Sequence, residues 1–145
     1  MEQQSRVLQT FSVGSDLFAV LTDDVMTFVE WREPAVLPQA PASVLGVVSI
    51  QGRMLTVLNL SQLLEQQHAG PRSHILALNG DEQLALAIDA PGETIELGDF
   101  KVPTENNRKL IAGVISRKGR EIKILNLKEL FPTAIQGRER RRRRF

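Results

Sequence analysis

One nineteen-residue stretch of this chain occurs twice, and this repeat limits the possible folds more than any other feature. Gly46–Leu64 aligns without a gap with Gly113–Phe131, sixty-seven residues later, and nine of the nineteen positions are identical. Internal repeats define an architecture before any motif does. Two copies within 145 residues predict one domain of two similar halves, because a unit of about 60 residues is marginal alone.

A second pair of segments extends the repeat towards the N-terminus. Residues 7–21 alternate apolar and polar side chains and then continue as an apolar run, with a Gly-Ser-Asp turn signal between the two parts. Residues 74–88 repeat this pattern around Asn79-Gly80, a dipeptide typical of hairpin turns because both residues tolerate positive φ. Each half is therefore predicted to contain two hairpins.

The segments between these hairpins are predicted to be less regular. Asp23 or Asp24 is expected to cap a short helical turn, and three prolines within 34–41 predict an ordered loop. The second connector, residues 89–112, is a weaker copy of the first. The Asn-Leu runs after the main hairpins predict short helices, the second of which stops at Pro132. Strands dominate this pattern, which predicts an all-β protein with two barrel-like halves.

Three positions of the main hairpin differ in polarity between its two copies. Charged residues of the second copy correspond to apolar or neutral residues of the first: Arg117, Glu121 and Lys123 against Ile50, Met54 and Thr56. All three are predicted to face solvent. Leaving an apolar side chain of this size exposed forfeits roughly 1.5–3 kcal/mol, so this face is expected to be covered. Either the other half of the protein or a partner protein would cover this face. Packing of one half on the other is the more frequent case.

Composition and charge narrow the class of protein. The chain has no cysteine and no apolar run near the roughly 18 residues of a membrane span, so a cytoplasmic location is expected. The formal net charge is +1, but residues 136–145 hold six arginines and one glutamate, so the rest of the chain is acidic. This basic tail is predicted to be a disordered, solvated terminus, or to attract anionic lipid, nucleic acid or an acidic protein patch. Its arginines are Arg138, Arg140, Arg141, Arg142, Arg143 and Arg144.

No group of residues in the sequence indicates catalysis or a metal site. The two histidines, His68 and His74, have no carboxylate at ligand spacing. The repeated glycines match no phosphate-binding pattern. Trp31, the single tryptophan, either covers a core or contacts a partner. We therefore expect a protein without enzymatic activity, cofactor or small-molecule substrate.

The run from Pro38 to Leu60, with its two prolines, Gly46, Gly52 and a Leu-Asn-Leu end, resembles the CheW family of chemotaxis coupling proteins. The resemblance extends over nearly the whole chain before the basic tail. It implies two five-stranded SH3-like β-barrels that share a hydrophobic seam, with short helices and no catalysis. The implied divisions are a single domain over 5–135, a first barrel over 14–68 completed by swapped terminal strands, and a second barrel over 72–131.

The resemblance also implies partners and contact residues. CheW-like proteins join the cytoplasmic tips of chemoreceptors to the regulatory domain of the histidine kinase CheA in membrane-proximal arrays. Those two proteins, and other CheW-like domains, are the expected partners, and the resemblance implies receptor contacts in the groove between the barrels and around the glycine motif. The expected contact residues are Val25, Gly46, Gln51 and Gly52, with Thr22, Thr27 and Ile95 as looser matches, and the comparison of copies adds Ile50 and Met54.

The chain departs from the family motif at four positions. Ser49, Gln51, Thr56 and Asn59 stand where the family has asparagine, arginine, proline and aspartate. Glutamine cannot make the bidentate contacts of arginine, which puts standard receptor coupling in question. Two interpretations follow: a standard coupling protein, or a diverged scaffold for another array. The alternative function is a small-β-barrel protein that binds nucleic acid or an anionic surface through the basic tail. Its acidic body and few aromatic residues argue against a specific nucleic-acid ligand.

Overall fold

Ten β-strands dominate the computed structural model, which describes residues 6–66, 72–98 and 110–134. The first repeat contributes Arg6–Val13 (β1), Asp16–Leu21 (β2), Val25–Glu30 (β3), Val44–Ile50 (β4) and Arg53–Leu58 (β5). The second contributes His74–Leu78 (β6), Leu84–Ile88 (β7), Ala90–Gly98 (β8), Ile111–Arg117 (β9) and Arg120–Leu125 (β10). Short helical segments follow β2, β5 and β10: the 3-10 turns Thr22–Asp24 and Leu127–Glu129, and the helix Leu60–Leu63 (α1). The predicted all-β class is confirmed.

The strands form two five-stranded sheets that exchange their first hairpins. One sheet has the order β8-β1-β2-β10-β9 and the other β3-β6-β7-β5-β4. The β1–β2 hairpin therefore lies among strands of the second repeat, and β6–β7 lies among strands of the first. The two orders become identical when each strand is replaced by its counterpart in the other repeat. The resemblance implied a first barrel over 14–68 completed by swapped terminal strands; in the structure the exchanged elements are the two first hairpins, β1–β2 and β6–β7.

The main hairpins of the two repeats share one register. In both, the pairing shifts by one residue beside the first glycine of the repeat. Just beyond each hairpin the chain is fixed in the same way, since the N–H of Asn59 donates to the Ser43 carbonyl at 2.7 Å and that of Asn126 donates to the Leu110 carbonyl at 2.8 Å. The duplication read from the sequence is therefore a duplication of backbone geometry.

The described residues form three apolar clusters: one lies between the two sheets, and each of the other two lies within a single sheet. The largest, the seam cluster, draws on both sheets, with Phe11 and Phe18 from one and Leu76 and Leu86 from the other. The other two clusters each belong to a single sheet. Because the seam cluster takes side chains from both exchanged hairpins, the two sheets share one core.

Strand β7 shows how the sequence separates these cores. Leu84, Leu86 and Ile88 lie in the seam cluster, while Ala85 and Ala87 lie in the core of the β7 sheet itself. Alternate residues of a strand face opposite sides, so this apolar run is a central strand covered on both faces. Large side chains fill the seam and small ones fit within the sheet's own core.

Two strands and one helical segment differ from the predictions. Val25–Glu30, in a connector predicted to be less regular, form the strand β3. The second connector, residues 89–112, was also predicted to be less regular and contains the strand β8. Both are edge strands of their sheets, where Pro91 of β8 is tolerated because one side carries no ladder. Residues 130–134 are helical, so the helix does not stop at Pro132. Proline is accepted there because the first turn of a helix needs no N–H donor.

We predict that Phe11→Ala lowers the free energy of unfolding by about 3–5 kcal/mol, because Phe11 is fully buried in the seam cluster. Urea titration followed by circular dichroism and by the fluorescence of Trp31, which packs against the core of the other sheet, should report one shared loss. The exposed Met54 provides the control, since Met54→Ala should change stability by less than about 0.5 kcal/mol. A Trp31 transition that is unchanged in Phe11→Ala would show that the sheets unfold separately.

Candidate functional site

Two side chains join three turns of the β3-β6-β7-β5-β4 sheet. Nη2 of Arg53 donates to the Gly80 carbonyl at 2.9 Å, which ties the β4–β5 turn to the β6–β7 turn. Nδ2 of Asn79 donates to the carbonyls of Asp23 at 3.0 Å and Val25 at 3.2 Å, which ties the β6–β7 turn to the 3-10 turn before β3. We name residues 22–25, 51–54 and 79–83 the linked turn surface.

The β4–β5 turn owes its shape to two residues in the left-handed region. Gln51 has φ 52° and Gly52 has φ 80°, as the two-residue hairpin turns of the primed types require. The same turn recurs in the second repeat, where Lys118 has φ 54° and Gly119 has φ 78°. Because the turn is this tight, Arg53 directly follows it and its guanidinium is placed to reach the neighbouring turn.

Met54 is the large apolar side chain that the linked turn surface exposes. It is 56% exposed, and it pairs with Ser49 on the outer face of the β4–β5 hairpin. Leu55, the next residue, points the other way into the core of the sheet. The counterpart of Met54 in the second repeat is the exposed Glu121. The predicted exposure of Met54 is confirmed.

The linked turn surface is acidic. It carries four carboxylates, on Asp23, Asp24, Asp81 and Glu82. Burial raises the pKa of Asp24 above its ordinary value, and the negative charge of Asp23 raises it further. Within the described ranges, the two ion pairs join Lys123 to Asp16 and Arg117 to Glu93, so neither involves these carboxylates.

Two of the predicted contact residues are buried inside the sheets. Ile50 is 1% exposed, so its predicted solvent exposure is wrong. It lies two residues from Val48 on the inward face of β4, whereas Met54 is on the outward face, and the comparison of copies had put them on one face. Ile95 is 4% exposed in the core of the other sheet, where its side chain does not reach the surface.

Gly46 is a packing position. It is buried with φ 145°, and a Cβ there would overlap the carbonyl of Ala35 and the ring of Pro34. Beside it, Val47 and Ala35 exchange two backbone hydrogen bonds of 2.9 Å each. Glycine therefore allows the proline-rich connector to lie against the edge of β4. Thr27 also lies away from the linked turn surface, half-buried further along β3.

Five of the nine predicted contact residues lie together on the linked turn surface: Thr22, Val25, Gln51, Gly52 and Met54. Val25 is half-buried against the seam cluster, so this surface meets the junction of the two sheets. Gln51 and Gly52 are exposed at the tip of the β4–β5 hairpin.

The residues that connect these turns were not predicted from the sequence. Asn79 was recognised as a turn residue, but its bonds to Asp23 and Val25 exist only because β6–β7 is exchanged into the sheet of the first repeat. Arg53, one residue past the β4–β5 turn, is bound to Gly80 of the neighbouring turn. Val36, 78% exposed in the proline-rich connector, was also missed, although its position between prolines in an ordered loop was a signal.

The basic tail, residues 136–145, lies outside the described ranges. Within those ranges, no three acidic or histidine side chains come together as a metal site requires. No helix among the described residues is both long and apolar enough to cross a membrane.

Known proteins resemble this chain in both sequence and fold. The family model for the CheW-like domain matches residues 8–134. "Chemotaxis protein CheW" of Rhizobium meliloti (strain 1021) is 29% identical over 137 residues, covering 88% of each chain. "Probable chemotaxis protein CheW" of Rhizobium etli is 24% identical over 140 residues, covering 90% of each. The crystal structure of the scaffolding protein TtCheW from Thermoanaerobacter tengcongensis has the same fold, with a TM-score of 0.78 and 20% identity over 88% of this chain and 93% of that one.

We predict different costs for alanine at two glycines of the β4–β5 hairpin. Gly46→Ala should lower the free energy of unfolding by at least about 3 kcal/mol, because the new Cβ overlaps the Ala35 backbone at a strained φ. Gly52→Ala should cost only about 1–2 kcal/mol, since its φ of 80° is strained but the space beside it is open. Thermal or urea unfolding measures both. Equal losses would contradict the packing role of Gly46.

Proposed function

This chain belongs to the CheW-like domain family, and we propose that it is a non-enzymatic adaptor that couples chemoreceptor tips to the regulatory domain of a CheA-type histidine kinase. The linked turn surface is the contact surface for the kinase domain in this proposal. The chain acts in the cytoplasm and reaches the receptor array through its partners. The exposure of Met54 is the observation that supports this surface most directly.

Met54 leaves apolar surface in water at a position where the other repeat has a charge. Glu121 occupies the equivalent outer-face position of β10 and is also exposed, so the fold itself requires no apolar residue there. A methionine side chain gains roughly 1.5–3 kcal/mol on full burial, which a partner can supply. Methionine also adapts its shape to irregular partner surfaces.

The linked turn surface is fixed before any partner arrives. Arg53 and Asn79 tie its three turns together with hydrogen bonds of 2.9–3.2 Å. Binding to a surface that is already ordered avoids much of the entropy loss of fixing loops on association. This suits a scaffold protein, because its role is to hold its partners in a constant arrangement and not to catalyse a reaction.

The position of Val25 supports a second contact at the junction of the sheets. Its side chain packs against the seam cluster and its carbonyl accepts the Asn79 amide, so the turn surface and the junction are continuous there. The family resemblance implies receptor contacts in the groove between the two halves, which supports a contact at this junction. We assign the junction of the two sheets, beside Val25, to the receptor tip and the linked turn surface, with its exposed Met54, to the kinase domain.

Gln51 determines how this chain differs from its relatives in the proposal. An arginine at this turn makes bidentate, charge-assisted contacts, whereas a glutamine makes single neutral hydrogen bonds. Arg53 does not replace the missing arginine, because its guanidinium is bound to the Gly80 carbonyl. The kinase domain of this chain's own array should therefore lack a carboxylate opposite Gln51.

We predict that Met54→Glu weakens binding of the CheA-type regulatory domain from the same organism by at least about tenfold, because a charge replaces the apolar centre of the contact. Isothermal titration with purified proteins measures this, and circular dichroism verifies the fold. The matched control is Glu121→Gln at the equivalent position of the second repeat, which should leave the dissociation constant within about twofold. Binding that survives Met54→Glu, or no complex at high micromolar concentration with both proteins folded, would contradict the proposal.

A further inference from the structure

The linked turn surface has the charge of a surface that accepts a basic segment. Asp23, Asp81 and Glu82 are exposed, and within the described ranges no lysine or arginine pairs with them. The guanidinium of Arg53 donates to a carbonyl instead. Burial raises the pKa of Asp24, and the neighbouring carboxylate of Asp23 raises it further.

This chain carries a segment of opposite charge. Residues 138–145 read Arg-Glu-Arg-Arg-Arg-Arg-Arg-Phe, with six arginines and one glutamate before Phe145. Arginine forms paired hydrogen bonds with carboxylates more readily than lysine does, and methionine sulfur packs well against aromatic rings. The segment therefore matches both features of the linked turn surface, its four carboxylates and its exposed Met54.

The segment is long enough to reach this surface. The described part of the C-terminus ends at Ala134, which is 2% exposed and lies one helical turn after Leu130 of the seam cluster. Val25 of the linked turn surface packs against the same cluster. The eleven residues that follow Ala134 span up to about 36 Å when extended, comparable with the diameter of a domain of this size.

The equivalent end of the other sheet is a poor alternative. The β9–β10 turn carries Arg117, Lys118 and Arg120, all exposed, and would repel an arginine-rich segment. Its counterpart β4–β5 turn has Ile50, Gln51 and Arg53 at those positions. The two repeats share backbone geometry but differ in charge, and only the first repeat's end attracts the segment.

We propose that residues 138–145 dock on the linked turn surface of their own chain and compete with the partner for it. The arginines pair with the carboxylates of Asp23, Asp81 and Glu82, and Phe145 lies beside Met54. The segment thereby lowers the apparent affinity of the adaptor until the partner displaces it. The competition rests on the proposed function, whereas the docking itself does not.

Docking is tested on the full-length chain without any partner. The ¹H–¹⁵N spectrum of the parent is compared with that of a variant in which Arg140, Arg141, Arg142, Arg143 and Arg144 are changed to glutamine. Amide shift differences should concentrate at residues 22–25, 51–54 and 79–83, and should disappear in about 0.5 M NaCl, where charges are strongly screened. Differences that are absent, or that centre on other surfaces, would overturn the proposal.

Charge reversals on the body distinguish specific docking from general attraction. Asp81→Lys/Glu82→Lys should abolish the shift differences caused by the arginine substitutions. The matched control, Glu96→Lys/Glu121→Lys, changes the net charge equally at exposed positions of the other sheet and should leave them intact. Equal effects of the two pairs would overturn the proposal, as would shift differences that grow with protein concentration, since these show contact between chains.

A second measurement tests the competition. The five-glutamine variant should bind the regulatory domain of the kinase about threefold to tenfold more tightly than the parent, because its surface is no longer partly occupied. If the affinity is unchanged while the spectra show docking, the proposed competition is wrong and the proposed docking stands. If neither protein binds the kinase domain, the proposed function fails while the docking spectra still decide the present inference.

Discussion

The seam cluster joins the two sheets into one domain. Phe11 and Phe18 of one exchanged hairpin and Leu76 and Leu86 of the other are fully buried there, so neither sheet is complete without strands of the other repeat. An apolar core of this kind is the main favourable term in folding. The exchange converts two units that would be marginal alone into one cooperative domain.

The same exchange creates the linked turn surface. Because β6–β7 lies between β3 and β5, its Asn79-Gly80 turn is brought between the turns of the first repeat, where Arg53 and Asn79 tie all three together. The two repeats share the core geometry but differ at their surfaces. The first has the apolar Met54 within an acidic surface, and the second has a basic hairpin turn followed by Glu121.

Much of the fold follows from the sequence because the repeat specifies it. The hairpin turns, the Asn59 cap and the buried run of β7 all follow from local patterns. Local patterns did not predict which strands each hairpin pairs with, since periodicity shows which face of a strand is buried but not which sheet buries it. Ile50 illustrates the limit: its apolar character was evident, but its inward face at the rim of a sheet was not. The edge strand β3 was missed because its side chains do not alternate between buried and exposed: all from Val25 to Val29 are half-buried.

We propose that one end of the β3-β6-β7-β5-β4 sheet binds the kinase. The decisive measurement is hydrogen–deuterium exchange of the chain, alone and with the regulatory domain of a CheA-type histidine kinase from the same organism, because amides covered by a partner exchange more slowly. Residues 22–25, 51–54 and 79–83 should exchange more slowly in the complex, with little change around Lys118 and Glu121. Protection confined to the β9–β10 turn, or absent from all three linked turns, would contradict it.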